Sequence, residues 1–429
     1  MNTAVFTVEE RKQRNKVKPF WPVDEFLEKL SQNFSDHYNC GQFLDVDEQC
    51  FAFKGRHRCR CYNPSKPNKW HLKAFALNDA FSGYQWKFFM YEGKDSKRDD
   101  MIVVVGRPVS ATEYPVLRLC NDDKLKLWFF IICLDNWYTS IMLFITLLSW
   151  GFHAVGTVKA NVRGLPRGGF LFPKTGRGKK ERGEMSTTGA LVSVSDVAGK
   201  IRDAAIHVTT WMDSKPVNVV STFPTMKTEV KRNTKDKAGN YAPTTVAQPT
   251  IVKTYNYGMG GTDRMDQQIS YYATTVRTRN WQHRTFTHFI SVAVVNAHIL
   301  YKAHHNPTRR DKNYDLKGFI DSLLDEWATK AHTTAPQRDW GDARTIAVHQ
   351  PMRLPHMSDG LIVRESGEYH QKDHRRECPI CHKKAAFECS TCNKGLHIPS
   401  KTDLDAESCW EKYHRQRFSE PQVTDSVDP

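Results

Sequence analysis

The chain has 429 residues, 62 Lys and Arg against 47 Asp and Glu, and a formal net charge of +15. Its 39% hydrophobic content can bury a core, which excludes a disordered chain, and its length allows several domains of roughly 150 residues each. The positive surplus attracts polyanions, nucleic acid first among them; on charge alone, a basic surface without such a partner is an equal reading.

Residues 1–20 carry Glu9, Glu10, Arg11, Lys12 and Arg14 where a secretory signal would need an apolar run. Phe26, Leu27, Leu30 and Phe34 share one helical face and predict a short helix, with Asp24 as its cap. Phe43 to Phe53 alternates as a strand: Leu44 and Val46 point one way, Asp45 and Asp47 the other. Trp70–Leu77 and Met101–Val105 read as further strands. Leu125–Leu134 is almost continuously apolar, as a central strand covered on both faces would be, and Trp137–Trp150 reads as the helix after it. Asp135 and Asn136 interrupt this stretch, so no uncharged run reaches membrane-spanning length. His153–Lys159, Ile206–Trp211 and Val217–Ser221 are predicted strands. Pro166–Gly183 and Lys227–Pro249 read as loops or inserted segments. From Thr262 a helical region is expected to run to about His305, with Phe286, Phe289, Ile290, Val294 and Ile299 as its core stripe. Leu316–Ala331 is a further helix. Strands first and helices last predict an α/β fold, a mixed sheet flanked by helices, compatible with an RNase H-like core.

Three carboxylates stand out. Asp47 sits inside an apolar alternating strand, Asp135 at the end of the most apolar one, and Asp263 with Asp266 three residues apart at a helix start. A charge beside a buried strand is costly unless it is paired or metal-bound. Carboxylates converging from separate segments suit two Mg²⁺ ions, which take oxygen ligands and cleave phosphodiesters. Plainer readings stand beside this one: Asp263 favouring a helix dipole, and Asp135 capping the helix that follows.

Of the eleven cysteines, five crowd into residues 378–409. Cys378-x-x-Cys381 and Cys389-x-x-Cys392 have the spacing of tetrahedral Zn²⁺ knuckles, and His397, Cys409 and His414 follow. These seven ligands are one short of two four-coordinate sites; His382 or His374 supplies the eighth if there are two ions.

The wording around the carboxylates resembles the piggyBac transposase family. Asp47-Glu48-Gln49, Phe53-Lys54-Gly55-Arg56 and Asn63-Pro64-Ser65-Lys66-Pro67-Asn68-Lys69-Trp70 are similar to its first catalytic block. Leu134-Asp135-Asn136-Trp137-Tyr138-Thr139-Ser140, with Gly156-Thr157-Val158-Lys159-Ala160-Asn161, looks like the second. Gly260-Gly261-Thr262-Asp263-Arg264-Met265-Asp266-Gln267 looks like the third. Several blocks in one order are more specific than any single one. The resemblance implies a nuclear DNA transposase, or a host-adopted DNA-binding protein that keeps the fold. Asp47, Asp135 and Asp263 would hold two catalytic Mg²⁺ ions, with Asp266 in support. Double-stranded DNA at terminal repeats and TTAA targets would be the partner, and a homodimer the assembly. Glu48 would point away from Asp47 along the strand, as a salt-bridge residue. The family's C-terminal cross-brace module binds terminal DNA, and here it would hold one or two structural Zn²⁺ ions. Lys372, Arg375, Arg376, Lys383, Lys384 and Lys412 would meet phosphates there. His397 stands where the family has Cys, and Trp410 where it has Phe.

On this reading, residues 1–40 are the remnant of an N-terminal helical region and 41–165 the first part of the catalytic core. Core strands with an insertion (166–255) lead to the helical end of the core (256–332). A linker (333–372), the zinc module (373–418) and an acidic tail (419–429) follow. The family usually has a longer N-terminal region than the 46 residues before Asp47, so a shortened or partial copy is expected.

Overall fold

The computed structural model describes residues 8–93, 99–126, 130–166, 171–172, 180–195, 199–235, 241–272 and 277–334, short segments between 351 and 396, and position 412. The chain divides into two compact units, 1–324 and 325–429.

The first unit opens with α1 (Val8–Val17) and α2 (Trp21–Asp36). α2 is the helix expected around Phe26–Phe34, and it buries Leu27 and Phe34. Its cap differs from expectation. Phe20 holds the cap position, and Asp24 lies inside the first turn, where a carboxylate favours the helix dipole. Strands β1 (Phe43–Ala52), β2 (Cys61–Tyr62), β3 (Trp70–Asp79) and β4 (Gln85–Met90) follow, then α3 (Asp99–Val105) and α4 (Glu113–Cys120). Next come β5 (Ile131–Leu134), α5 (Ile141–Ser149), β6 (His153–Thr157), β7 (Met185–Ser195), β8 (Ile201–Met212) and β9 (Pro216–Ser221). A hairpin, β10 (Lys227–Lys235) and β11 (Tyr241–Pro249), leads into α6 (Thr250–Gly258), α7 (Gly261–Tyr271), α8 (Trp281–His305) and α9 (Leu316–Thr334).

Among the described residues, nine strands form one mixed sheet in the order β2-β3-β1-β5-β6-β9-β8-β7, with β4 on the outer side of β3. β1, β5 and β6 run parallel, and the remaining pairs are antiparallel. β5 is central and covered on both faces, as its apolar run demands. Ile132 and Leu134 enter the larger core with Leu44, Phe144 and Phe289. Cys133 points the other way, to Val155, Trp211 and Ile251. The mixed α/β layering was therefore legible in the apolar pattern.

Several local expectations fail for physical reasons. Met101–Val105 is helical: Asp99 and Asp100 stand in its first turn, and Gly106, at φ +70°, ends it with its N–H on the Ile102 carbonyl. β-branched propensity yields here because Val103 is 81% exposed and gains nothing from strand packing. Lys227–Pro249 is a paired hairpin, whose charged side chains hid the strand signal. α5 begins at Ile141 rather than Trp137, because the Ser140 hydroxyl accepts the Leu143 N–H at 3.1 Å. The apolar stripe of α8 is shifted: Phe289 is buried, but Phe286 is 42% exposed and meets Phe26 of α2. The buried face of α8 also carries His288, Asn296 and His298.

The second unit holds β12 (Pro351–Arg353), β13 (Leu361–Val363), β14 (Tyr369–Gln371), β15 (Arg376–Glu377), β16 (Lys384–Ala385), β17 (Phe387–Cys389) and β18 (Gly395–Leu396). The stretch read as a linker thus contributes β12, β13 and β14, and β12 pairs with β17 of the cysteine-rich segment.

Candidate active site

The site is built where parallel strands end together. β1 and β5 run in register up to Val46 beside Leu134. The next residue on each strand is Asp47 and Asp135, so register alone brings two carboxylates side by side at the carboxyl end of the central strand. In α/β sheets such ends border the ligand crevice. Asp135 caps no helix. Its Oδ1 accepts from the Asn136 backbone N–H at 2.5 Å, the Asn136 side-chain amide at 3.0 Å and the Thr157 hydroxyl at 3.4 Å. Thr157 is the last residue of β6, also 3.4 Å from the Tyr255 hydroxyl. Gly156 must lack a side chain, since a Cβ would collide with the Thr139 hydroxyl and crowd the Leu134 carbonyl.

Asp263 arrives from the first turn of α7. What seats that helix is Asp45, which the sequence reading placed on the Asp47 side of β1 without giving it a role. Asp45 is 1% exposed, and its Oδ2 accepts the Thr262 backbone N–H at 3.0 Å and the Thr262 hydroxyl at 2.7 Å. A carboxylate on one strand therefore satisfies an orphan N–H of a helix over 200 residues away in sequence, where the helix dipole also favours negative charge. Gly261 is required by the closeness of this approach: a Cβ there would strike Asp45 Oδ1 and the Asp79 carbonyl. The local D-x-D alternation was the available signal for Asp45. The remote helix terminus was not visible in sequence.

Asp45, Asp47, Asp135 and Asp263 line one cleft of about 170 Å³, with Tyr255, Met259 and Gly260 on its wall. Asp266 lies one turn beyond Asp263 and outside this lining; its Oδ1 accepts from the Gln49 amide at 3.0 Å. Gln49 in turn accepts from His288 Nε2 at 3.1 Å. Burial raises the Asp47 carboxyl to about 6, with the Glu48 and Asp135 charges adding and exposed Lys66 opposing. Burial likewise raises Asp45 and Asp266 to about 7 each, and the neighbouring Asp263 charge adds to both. Glu48 turns away, as expected, to an ion pair with Lys73 at 3.4 Å.

Among the described residues, no three Asp, Glu, His or Cys side chains close on a single point as a ready metal cage. The donor set nevertheless fits hard divalent cations: it is all-oxygen and acidic, with four carboxyl side chains lining one cleft. Mg²⁺ keeps several waters and needs only one or two carboxylates per ion. In the second unit, Cys378 is buried directly after β15, and the backbone of Cys389 ends β17. Cys381, His382, Cys392, His397, Cys409 and His414 lie outside the described residues, as do Lys372, Arg375 and Lys383. Arg376 and Lys384 lie on the paired strands β15 and β16, and Lys412 is exposed.

The family model described as Transposase IS4 matches residues 3–298. The chain belongs to the piggyBac-type transposase family. It is 24% identical over 401 residues to human PiggyBac transposable element-derived protein 3, covering 90% of this chain and 60% of the relative. It is 27% identical over 397 residues to human PiggyBac transposable element-derived protein 2, covering 92% of this chain and 59% of that protein. The chain thus spans about 60% of the length of these curated relatives. Its fold is similar to that in a cryo-EM structure of a piggyBac transposase synaptic complex with hairpin DNA. The TM-score is 0.58 at 21% identity, covering 91% of this chain and 74% of the other. Among the described residues of this piggyBac-type chain, no helix is long and apolar enough to cross a membrane.

Proposed function

We propose that the cleft performs metal-dependent cleavage and transfer of DNA strands, in an RNase H-like core, with Asp47, Asp135 and Asp263 as ligands of two Mg²⁺ ions. The observation that carries this reading is the meeting of three carboxylates, from β1, the end of β5 and the start of α7, in one cleft. When bound, the ions would activate the attacking oxygen and neutralise charge on the leaving one. The chain's own residues do the positioning. Strand register sets Asp47 beside Asp135, Asn136 and Thr157 orient the Asp135 carboxylate, and Asp45 anchors the helix that presents Asp263. Asp266 supports from the far side, held by Gln49.

Duplex DNA carrying terminal repeats and a TTAA target is the proposed substrate, in the nucleus and by a homodimer. The net charge of +15 suits a polyphosphate partner. Cys378, Cys381, Cys389, Cys392, His397, Cys409 and His414, with His382, are proposed to hold one or two structural Zn²⁺ ions. Lys372, Arg375, Arg376, Lys383, Lys384 and Lys412 are proposed to contact phosphates beside them. A second reading, a silent host-adopted DNA-binding protein, draws on the human relatives, whose names describe them as transposable element-derived. The deciding experiment is Mg²⁺-dependent nicking of DNA bearing the element's own terminal repeats, by the chain and by Asp135→Ala. Equal cleavage by both proteins, or none by either, would sink the catalytic reading.

A further inference from the structure

Tyr255 shares the wall of the cleft with Asp45, Asp47, Asp135 and Asp263. It belongs to α6, and the packing of α6 fixes where its ring can lie. Ile251 and Val252 are buried with Cys133 of β5 and Val155 of β6. Gly258, at the end of α6, lies so close to β5 that a Cβ would strike Cys133 Sγ. At the start of the helix, the Thr250 N–H donates to the Met226 carbonyl at 2.8 Å, and the Thr250 hydroxyl accepts the Met226 N–H at 2.9 Å. A helix held at both ends presents its side chains more precisely than a loop does.

The phenol reaches the sheet. Its oxygen lies 3.4 Å from the Thr157 hydroxyl, which lies 3.4 Å from Asp135 Oδ1. Parallel register sets Leu134 beside Gly156, so the next residues, Asp135 and Thr157, are neighbours. The number of protons sets the direction of this chain. A carboxylate that binds a cation is ionised and can only accept. Thr157 has one hydroxyl proton, and Asp135 takes it. The contact between Tyr255 and Thr157 then uses the Tyr255 proton. The phenol keeps that proton: burial, with Asp135 and Asp47 nearby, pushes its pKa above the ordinary 10 although the Thr157 bond opposes. The bonds also divide the two Asp135 oxygens. Oδ1 accepts from the Asn136 N–H, the Asn136 amide and Thr157, whereas no donor among the described residues meets Oδ2.

We propose that Tyr255 is a positioning residue for the cation at Asp135: through Thr157 it holds Oδ1 within the protein and so leaves Oδ2 to the metal. The inference rests on the metal reading of the cleft above. At 3.4 Å each link of the chain is weak. The expected effect is therefore at the lower end of the roughly 10- to 100-fold in metal affinity that a partner orienting a metal ligand carries.

The test is a calorimetric titration of the full chain with Mg²⁺ alone, in which Asp135→Ala marks the heat that belongs to the cleft. Tyr255→Phe removes one oxygen and keeps the ring. It weakens Mg²⁺ binding about 10-fold, and raises by the same factor the Mg²⁺ concentration that half-saturates nicking, with an unchanged melting temperature in EDTA. Thr157→Val loses at least as much, and Thr157→Ser, which keeps the hydroxyl, retains most of the affinity. Adding Tyr255→Phe to Thr157→Val costs nothing further, because both break one chain. Unaltered Mg²⁺ affinity in Tyr255→Phe, or losses that add in the double variant, overturns the role of Tyr255 alone. A titration in which Asp135→Ala removes no heat overturns the metal reading and this proposal together. The expected Mg²⁺ shift without nicking by any variant supports the role of Tyr255 and overturns the catalytic reading.

Discussion

The two ends of one strand face hold the same helix in opposite ways. Asp45, Asp47 and Gln49 alternate along β1. Asp45 ties the start of α7 with a buried carboxylate on the Thr262 N–H and hydroxyl. Two residues beyond the cleft-facing Asp47, Gln49 ties the next turn of α7 with a neutral amide, shared between Asp266 and His288. His288 is buried, stacked on Phe51 at 4.2 Å, and its pKa is pushed down to about 3 by that burial. Each end thus holds a buried carboxyl raised to about 7: Asp45 meets a helix terminus directly, and Asp266 meets an amide that offers both a donor and an acceptor. Asp263 is presented between these ties, so its position is set from both sides.

The largest expected effect comes from the cleft itself. Asp135→Ala should lower Mg²⁺-dependent nicking about 10³-fold or more, equivalent to about 4 kcal/mol of barrier, with an unchanged melting temperature in the absence of metal. A melting loss without metal would show that Asp135 serves the fold instead. Gly261→Ala forces a methyl into Asp45 and the Asp79 carbonyl, and should cost about 1–3 kcal/mol in denaturant unfolding while also reducing nicking. A neutral result would mean that α7 is not seated by that approach. At the charged tie, Asp45→Ala should cost about 1–2 kcal/mol, as loss of a helix cap does, with nicking falling further than stability accounts for. At the neutral tie, Gln49→Leu should cost a similar or smaller amount, about 1–2 kcal/mol, by stranding both Asp266 and His288. A larger loss at Gln49 than at Asp45 would invert the comparison.

The smallest effect is a pH slope. The folded pKa of His288 lies below its ordinary 6.5, so the unfolded chain binds the extra proton first. Stability from this group is complete above pH 6.5 and is lost as pH falls toward about 3. Between pH 6.5 and 5.5 the loss should be on the order of 1 kcal/mol, and His288→Phe should flatten that part of the unfolding profile. An unchanged slope would show that His288 already carries its proton in the fold.

Legibility in the sequence followed locality. The period-two alternation of Leu44 and Val46 against Asp45 and Asp47, the apolar run into Leu134 and the Asp-rich start of α7 are contained in short windows, so strand, layer and candidate carboxylates were readable there. The switch of Met101–Val105 to helix was less so, because it depends on how little a strand there would bury. The hairpin from Lys227 to Pro249 pairs polar segments with each other, which an apolar pattern cannot register. The polar buried face of α8 was missed for a related reason: Asn296 lies there because it bonds the Gln85 backbone, at 3.0 and 2.9 Å.

By itself the sequence determined a mixed α/β chain of the piggyBac type, with Asp47, Asp135 and Asp263 as the residues to watch. Hydrophobic periodicity and short motifs act over a few residues, so they survive being read in one dimension. Tertiary structure alone decided that Asp47 and Asp135 are register neighbours, that Asp45 anchors a helix rather than idling on a strand, and that Asp266 faces Gln49 beside the cleft instead of lining it. Those outcomes depend on which distant donor meets a buried carboxylate, and chain folding, not sequence spacing, chooses that partner.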